Sequence, residues 1–156
     1  AQAAAANPLY LAYKQDWTFE AIKATPTQAS AIQIGNPVSV DKAIRTLKRY
    51  DGIVEQATES ELAEAAGRAD RTGMYNCPHT GVALAVLTKL RDRNEISQTD
   101  RVVVISTANG LKFTDFKLGY HHDSLPQINS RLANQPVELP NDYSAVRRTV
   151  AKLTGE

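Results

Sequence analysis

The run Val102-Val103-Val104-Ile105 limits the fold more than any other stretch of this chain. It is β-branched and short, and it lacks alternation, the pattern of a strand buried on both faces. It leads into Ser106-Thr107-Ala108-Asn109-Gly110-Leu111-Lys112-Phe113, where small polar residues and a glycine let backbone approach a ligand closely. In open α/β sheets ligands lie beyond the carboxyl ends of the strands, which makes Ser106, Thr107, Asn109 and Gly110 candidate site residues. An ordinary core strand followed by a turn fits the same residues.

The chain before this run alternates in character. Asn7-Pro8 ahead of Leu9-Tyr10-Leu11-Ala12-Tyr13 reads as a cap and first helical position of a short helix. Residues 15–35 have no period and read as an ordered loop or short irregular elements. Asn36-Pro37 repeats the cap signal, and Val40, Ala43, Ile44 and Leu47 form the apolar stripe of a helix ending near Tyr50. Asp51-Gly52 stops it, and Ile53 to Ala57 is a strand candidate. Thr58-Glu59-Ser60-Glu61 matches a capping box, opening a helix whose stripe is Leu62, Ala65, Ala66 and Ala69 and which Gly73 ends. Met74-Tyr75-Asn76 reads as a brief strand. Past Gly81, Ala83, Val86, Leu87 and Leu90 form another helical face. Helix and strand therefore alternate over 36–106, which predicts an α/β fold with a parallel sheet and covering helices. After Phe113, Pro126, Pro136 and Pro140 punctuate a tail with a terminal helix over 142–153, capped by Asn141 or Asp142.

With 156 residues, 42% of them hydrophobic, the chain has the length of one domain and enough apolar material for a core. A net charge of +1 supplies no electrostatic footprint for nucleic acid or an anionic membrane, and no apolar run reaches the ~20 residues of a membrane span. Cys77 is the only cysteine, which excludes an internal disulfide and fits a reducing, cytoplasm-like compartment.

Pro78-His79-Thr80-Gly81 sits at a helix start, where free N–H groups and the dipole favour an anion or a polar cofactor group; a capped start with no ligand, and a structural His79, is the plainer alternative. His121-His122-Asp123 suits one metal poorly, because adjacent residues on an extended chain face opposite ways. Lys112 is a nucleophile only if desolvated. No nucleophile elbow, zinc-protease, Walker or dinucleotide motif is present.

Three segments, 29–39 (Ala-Ser-Ala-Ile-Gln-Ile-Gly-Asn-Pro-Val-Ser), 73–84 (Gly-Met-Tyr-Asn-Cys-Pro-His-Thr-Gly-Val-Ala-Leu) and 106–113, together resemble the carboxy-terminal part of threonine synthase of the plant and cyanobacterial type. Ala1 to Ala4 and Asn7 to Tyr10 look like the same family. The resemblance implies a partial fold type II (tryptophan synthase β-like) large domain over 1–120, a C-terminal extension over 121–156, and pyridoxal phosphate as cofactor of the intact enzyme, which converts O-phosphohomoserine and water to threonine and phosphate. It assigns to Thr107 the hydrogen bond to the pyridine nitrogen, with Ser106, Asn109, Gly110, Pro78, His79 and Thr80 along the same pocket. Many relatives have histidine where this chain has Asn109. The family's Schiff-base lysine and phosphate loop lie upstream of the part resembled, so the resemblance places no catalytic residue in this chain and implies no covalently bound cofactor. Two forms of the reading follow: a portion of the enzyme, or a stand-alone remnant acting as a binding or regulatory subunit. Cover for its open surfaces is expected from the amino-terminal part, a second copy or a larger complex, in the cytoplasm, or in the plastid stroma for a plant or alga.

Overall fold

In the computed structural model, which describes residues 1–155, a pair of close-packed helices forms the centre of the core. The first of the pair, α3 (Glu59–Asp70), opens on a complete capping box: Thr58 Oγ1 accepts from the Glu61 amide at 3.3 Å, and the Thr58 amide donates to Glu61 Oε2 at 2.8 Å. The second, α4 (Pro78–Asp92), starts with proline at its first position, where a missing N–H costs nothing. Leu62, Ala63 and Ala66 meet Val82, Ala85 and Val86 between them. The contact is close because Gly81 lacks a side chain: a Cβ there would lie 2.5 Å from the Leu62 carbonyl oxygen. The buried face of α4 is thus Val82, Ala85 and Val86; of the expected stripe Val86 is buried, Leu90 packs half-buried against the core, and Ala83 and Leu87 are only half-buried.

The remaining helices are α1 (Pro8–Lys14), α2 (Val40–Arg49), α5 (Thr114–His121) and α6 (Tyr143–Thr154). The short helix expected after Asn7-Pro8 is α1, but the Asn7 side chain does not cap it and donates instead to Gln56 Oε1. The expected start at Pro37 is also displaced: α2 begins at Val40, and its stripe of Val40, Ala43, Ile44 and Leu47 is half-buried. The terminal helix α6 has Asp142 as its cap, Oδ1 accepting from the Ala145 amide at 2.7 Å, and none of its residues is buried.

The architecture is α/β with a small parallel sheet. Gln2–Ala3 (β1) pairs in parallel with Gln56–Ala57 (β2). Two expectations are corrected here. The strand candidate 53–57 is reduced to its last two residues, with the alanine-rich opening as its partner. Val102 to Ile105 forms no ladder and is not buried: Val103 is 88% and Ile105 76% exposed. An apolar run makes a strand only beside another strand, and among the described residues no strand pairs with it. Met74 to Asn76 contributes a single antiparallel bridge, Asn76 to Asn109.

The tail also departs from expectation, since α5 was not legible in the sequence. Its buried residues are Phe116, Lys117 and Tyr120. The Tyr120 ring packs over Gly67 of α3, where a Cβ would meet it at 2.4 Å, and its hydroxyl donates to Glu64 Oε2 at 2.9 Å. Burial, then Glu64, pushes this phenol up to about 12. Beyond it, Ile128 joins the core and Leu125 and Leu132 pack against it.

Candidate functional site

The start of α4 and the segment 106–110 are brought together by backbone. The Cys77 amide donates to the Ala108 carbonyl at 3.1 Å, and the Gly110 amide to the Tyr75 carbonyl at 2.9 Å. Gly110 is buried in this crossing, where a Cβ would lie 2.8 Å from both Tyr75 and Lys117. Four side chains then form a row. Thr107 Oγ1 lies 3.5 Å from Cys77 Sγ, Cys77 Sγ 3.3 Å from Thr80 Oγ1, and Thr80 Oγ1 3.3 Å from Ser106 Oγ. The middle pair is buried, whereas Thr107 and Ser106 are exposed at the two ends.

All seven expected site residues therefore fall in one place, with different parts in it. Ser106 and Thr107 are exposed residues whose hydroxyls close the two ends of the row. Asn109 spends its Oδ1 on the Leu111 amide at 2.9 Å, capping a short 3-10 turn (Gly110–Lys112). His79 accepts the Ala31 amide on Nε2 at 2.9 Å and packs edge-on against Phe113. Pro78 is buried as the first residue of α4. No group of three or more His, Cys, Asp or Glu side chains among the described residues is arranged to hold a metal.

Cys77 is the residue sequence reasoning passed over. Burial alone pushes its thiol up, but the Thr107 and Thr80 hydroxyls, the Thr80 amide and His79 outweigh burial and bring it down to about 6. Its place at a helix start was the one available signal.

Beneath the crossing lies a buried ion pair. Lys117 Nζ donates to Asp70 Oδ1 at 2.6 Å and Oδ2 at 2.7 Å and sits 4.7 Å from the centre of the Tyr75 ring. Burial pushes the Lys117 amine down against the pull of Asp70. His121 accepts the Asn134 amide on Nδ1 at 3.1 Å, which leaves Nε2 as the donor to Asp70 Oδ2, also at 3.1 Å. His121 thus serves this network. Lys117 is locked, and Lys112 is exposed. A cavity of about 500 Å³ between α3 and α4, lined by Met74, Leu84, Leu87 and charged residues, shares no residue with the row of hydroxyls.

The donor set of the row, hydroxyls and a thiol with no carboxylate, suits a neutral acceptor such as an unprotonated ring nitrogen.

A family model for pyridoxal-phosphate dependent enzymes matches residues 1–108. The chain is 54% identical to "Threonine synthase 2, chloroplastic" of Arabidopsis thaliana over 148 residues, 94% of this chain and 29% of that protein. It is 29% identical to a threonine synthase of Methanocaldococcus jannaschii over 97% of this chain and 35% of that protein. A threonine synthase of Synechocystis is 36% identical over 57% of this chain and 23% of its own length. The chain spans roughly a third of the length of these first two relatives.

Proposed function

The chain belongs to the family of pyridoxal-phosphate dependent enzymes, and from that premise we propose that it is the carboxy-terminal portion of a threonine synthase of the plastid type. Residues 1–120 then form part of a fold type II large domain and 121–156 an extension, with Leu125, Ile128 and Leu132 tying the extension back to the core. The observation that carries the reading is the pair of hydroxyls on exposed residues, Thr107 and Ser106, fixed at the start of α4 by the Cys77–Ala108 and Gly110–Tyr75 backbone bonds.

Pyridoxal phosphate, when bound, supplies the electron sink for turning O-phosphohomoserine and water into threonine and phosphate. Thr107 donates a neutral hydrogen bond to the ring nitrogen and, unlike a carboxylate, does not keep that nitrogen protonated. Ser106 lines the same wall. Asn109 carries no titratable proton, and its oxygen is committed to Leu111, so it holds the loop and moves no proton. Lys117 is held by Asp70, and among the described residues no lysine hydrogen-bonds to the row, so this chain contributes the ring-nitrogen wall and takes its nucleophilic amine from elsewhere. The amino-terminal part of the enzyme is the proposed partner, with strands beside Val102 to Ile105. The stand-alone regulatory reading has no observation of its own in its favour.

The test mixes this chain with the amino-terminal two-thirds of the Arabidopsis relative, pyridoxal phosphate and O-phosphohomoserine. Threonine and phosphate are expected from the mixture and from neither part alone. Thr107→Val removes a hydrogen bond worth about 1–3 kcal/mol and lowers turnover roughly ten- to a hundred-fold. Turnover by this chain alone refutes the reading, and unchanged kinetics refute the role of Thr107.

A further inference from the structure

The row Thr107, Cys77, Thr80, Ser106 has one hydrogen per group and therefore a direction. Either atom can donate in each of the three contacts; when Cys77 is a thiol the row can run with S–H donating to Thr107 Oγ1, Thr80 to the sulfur and Ser106 to Thr80, which frees the Thr107 hydrogen to point out of the row. When Cys77 has lost its proton to solvent, the sulfur is acceptor only. Both flanking hydroxyls then turn inward to it, and Thr107 has no hydrogen left to offer. The distances of 3.5 Å and 3.3 Å allow either arrangement without moving a heavy atom.

We propose that Cys77 is a positioning residue for Thr107: as a thiol it donates to Thr107 when an outward acceptor takes the Thr107 hydroxyl hydrogen, and as a thiolate it draws that hydrogen inward. The inference rests on the reading of Thr107 as the ring-nitrogen partner. Binding an acceptor at Thr107 and ionising Cys77 compete for the same hydrogen, so binding above the titration of the thiol takes up as much as one proton. Affinity falls by up to about tenfold per pH unit above that titration. The other titratable groups around Cys77 are His79 on α4, whose Nε2 is occupied by Ala31, Tyr75 on the preceding segment, and Lys117 of α5, held by Asp70 of α3. None of them takes a hydrogen from Thr107.

The titration is read from thiolate absorbance near 240 nm, which is unambiguous because Cys77 is the only cysteine. The probe is pyridin-3-ylmethyl phosphate, which has the ring nitrogen but neither the aldehyde nor the 3-hydroxyl and so presents an unprotonated acceptor at neutral pH. Thr107→Val is expected to raise the thiol titration by about one pH unit, and Thr107→Ser to restore it. Saturating probe is expected to raise it in the parent chain and in Thr107→Ser, and to leave Thr107→Val unmoved. Probe affinity, followed by amide resonances of 106–110, should fall with pH in the parent and stay flat in Cys77→Ser, which does not ionise. A titration that Thr107→Val leaves unchanged overturns the inference. So does a probe that shifts those resonances without moving the thiol, although the cofactor reading then stands. A probe that shifts no resonance overturns the inference, and the cofactor reading is then decided by the mixing test with the amino-terminal part.

Discussion

Replacing Lys117 with methionine isolates the buried charge under the site. The Lys117 side chain is 1% exposed and that of Asp70 9%, and the amine sits within 2.7 Å of both carboxylate oxygens. Methionine keeps the stem that packs beneath Gly110 and beside Tyr75, but leaves Asp70 with only the His121 N–H at 3.1 Å. Stranding one partner of a buried pair costs about 3–5 kcal/mol. Two circumstances place this case at the low end, about 3 kcal/mol: His121 still satisfies one oxygen, and the cost of burying the lysine charge disappears. In a chain of this length that lowers the melting temperature by roughly 6–12 °C. Asp70→Asn on the Lys117→Met background removes the stranded charge, and the double variant should recover at least ~2 kcal/mol relative to the sum of the single changes. Urea denaturation followed by far-ultraviolet circular dichroism gives all four corners of the cycle. A loss below about 1 kcal/mol in Lys117→Met, or strict additivity in the double variant, refutes the claim that this pair is a coupled, desolvated unit.

Gly81→Ala puts a methyl group 2.5 Å from the Leu62 carbonyl oxygen and 3.3 Å from Ala66 Cβ, so α3 and α4 must separate. The expected cost is about 1–3 kcal/mol in the same denaturation assay, and an unchanged midpoint would show that the helices yield freely. Acid stability should depend on Glu55 and Glu61. Burial raises both carboxyls, but it is outweighed for Glu55 by the Gln56 amide, Arg93 and Lys89, and for Glu61 by the Thr58 amide and Lys89, so both lie below the usual value. Their folded values being depressed, the stabilisation is complete above the unfolded carboxylate range and disappears as pH falls through the folded values. Glu55→Gln should flatten the loss of stability below about pH 4.5, as monitored by acid titration of the helical signal, and an identical acid limb would contradict this.

What could be read from the sequence was local chemistry. The Thr58 capping box, Pro78 at the start of α4, the half-buried stripe of α2 and the Asp142 cap all depend on residues a few positions apart, and each element is present, with only the start of α2 displaced from Pro37 to Val40. The row of hydroxyls was legible for a different reason, a resemblance that named both of its segments. Elements missed or misjudged depend on distant residues. The buried face of α5 includes a lysine, which reads as surface until Asp70, 47 positions earlier, is seen to receive it. The face of α4 was misjudged because Gly81 becomes a contact residue only where α3 approaches closely enough to need it. Val102 to Ile105 carries a strand pattern, but the pattern does not say what will lie alongside.

That same valine run sets an order of events during folding. The α3–α4 pair is joined by a short link of residues 71–77 and makes contacts close in sequence, so it has the topology that forms early. Val102 to Ile105 follows immediately in synthesis yet finds no ladder on the structure already formed. For as long as it waits, an unpaired edge of β-branched residues competes between its proper neighbour and any other extended chain nearby. Yield on refolding should therefore fall as concentration rises, even where the helical pair itself is fully stable.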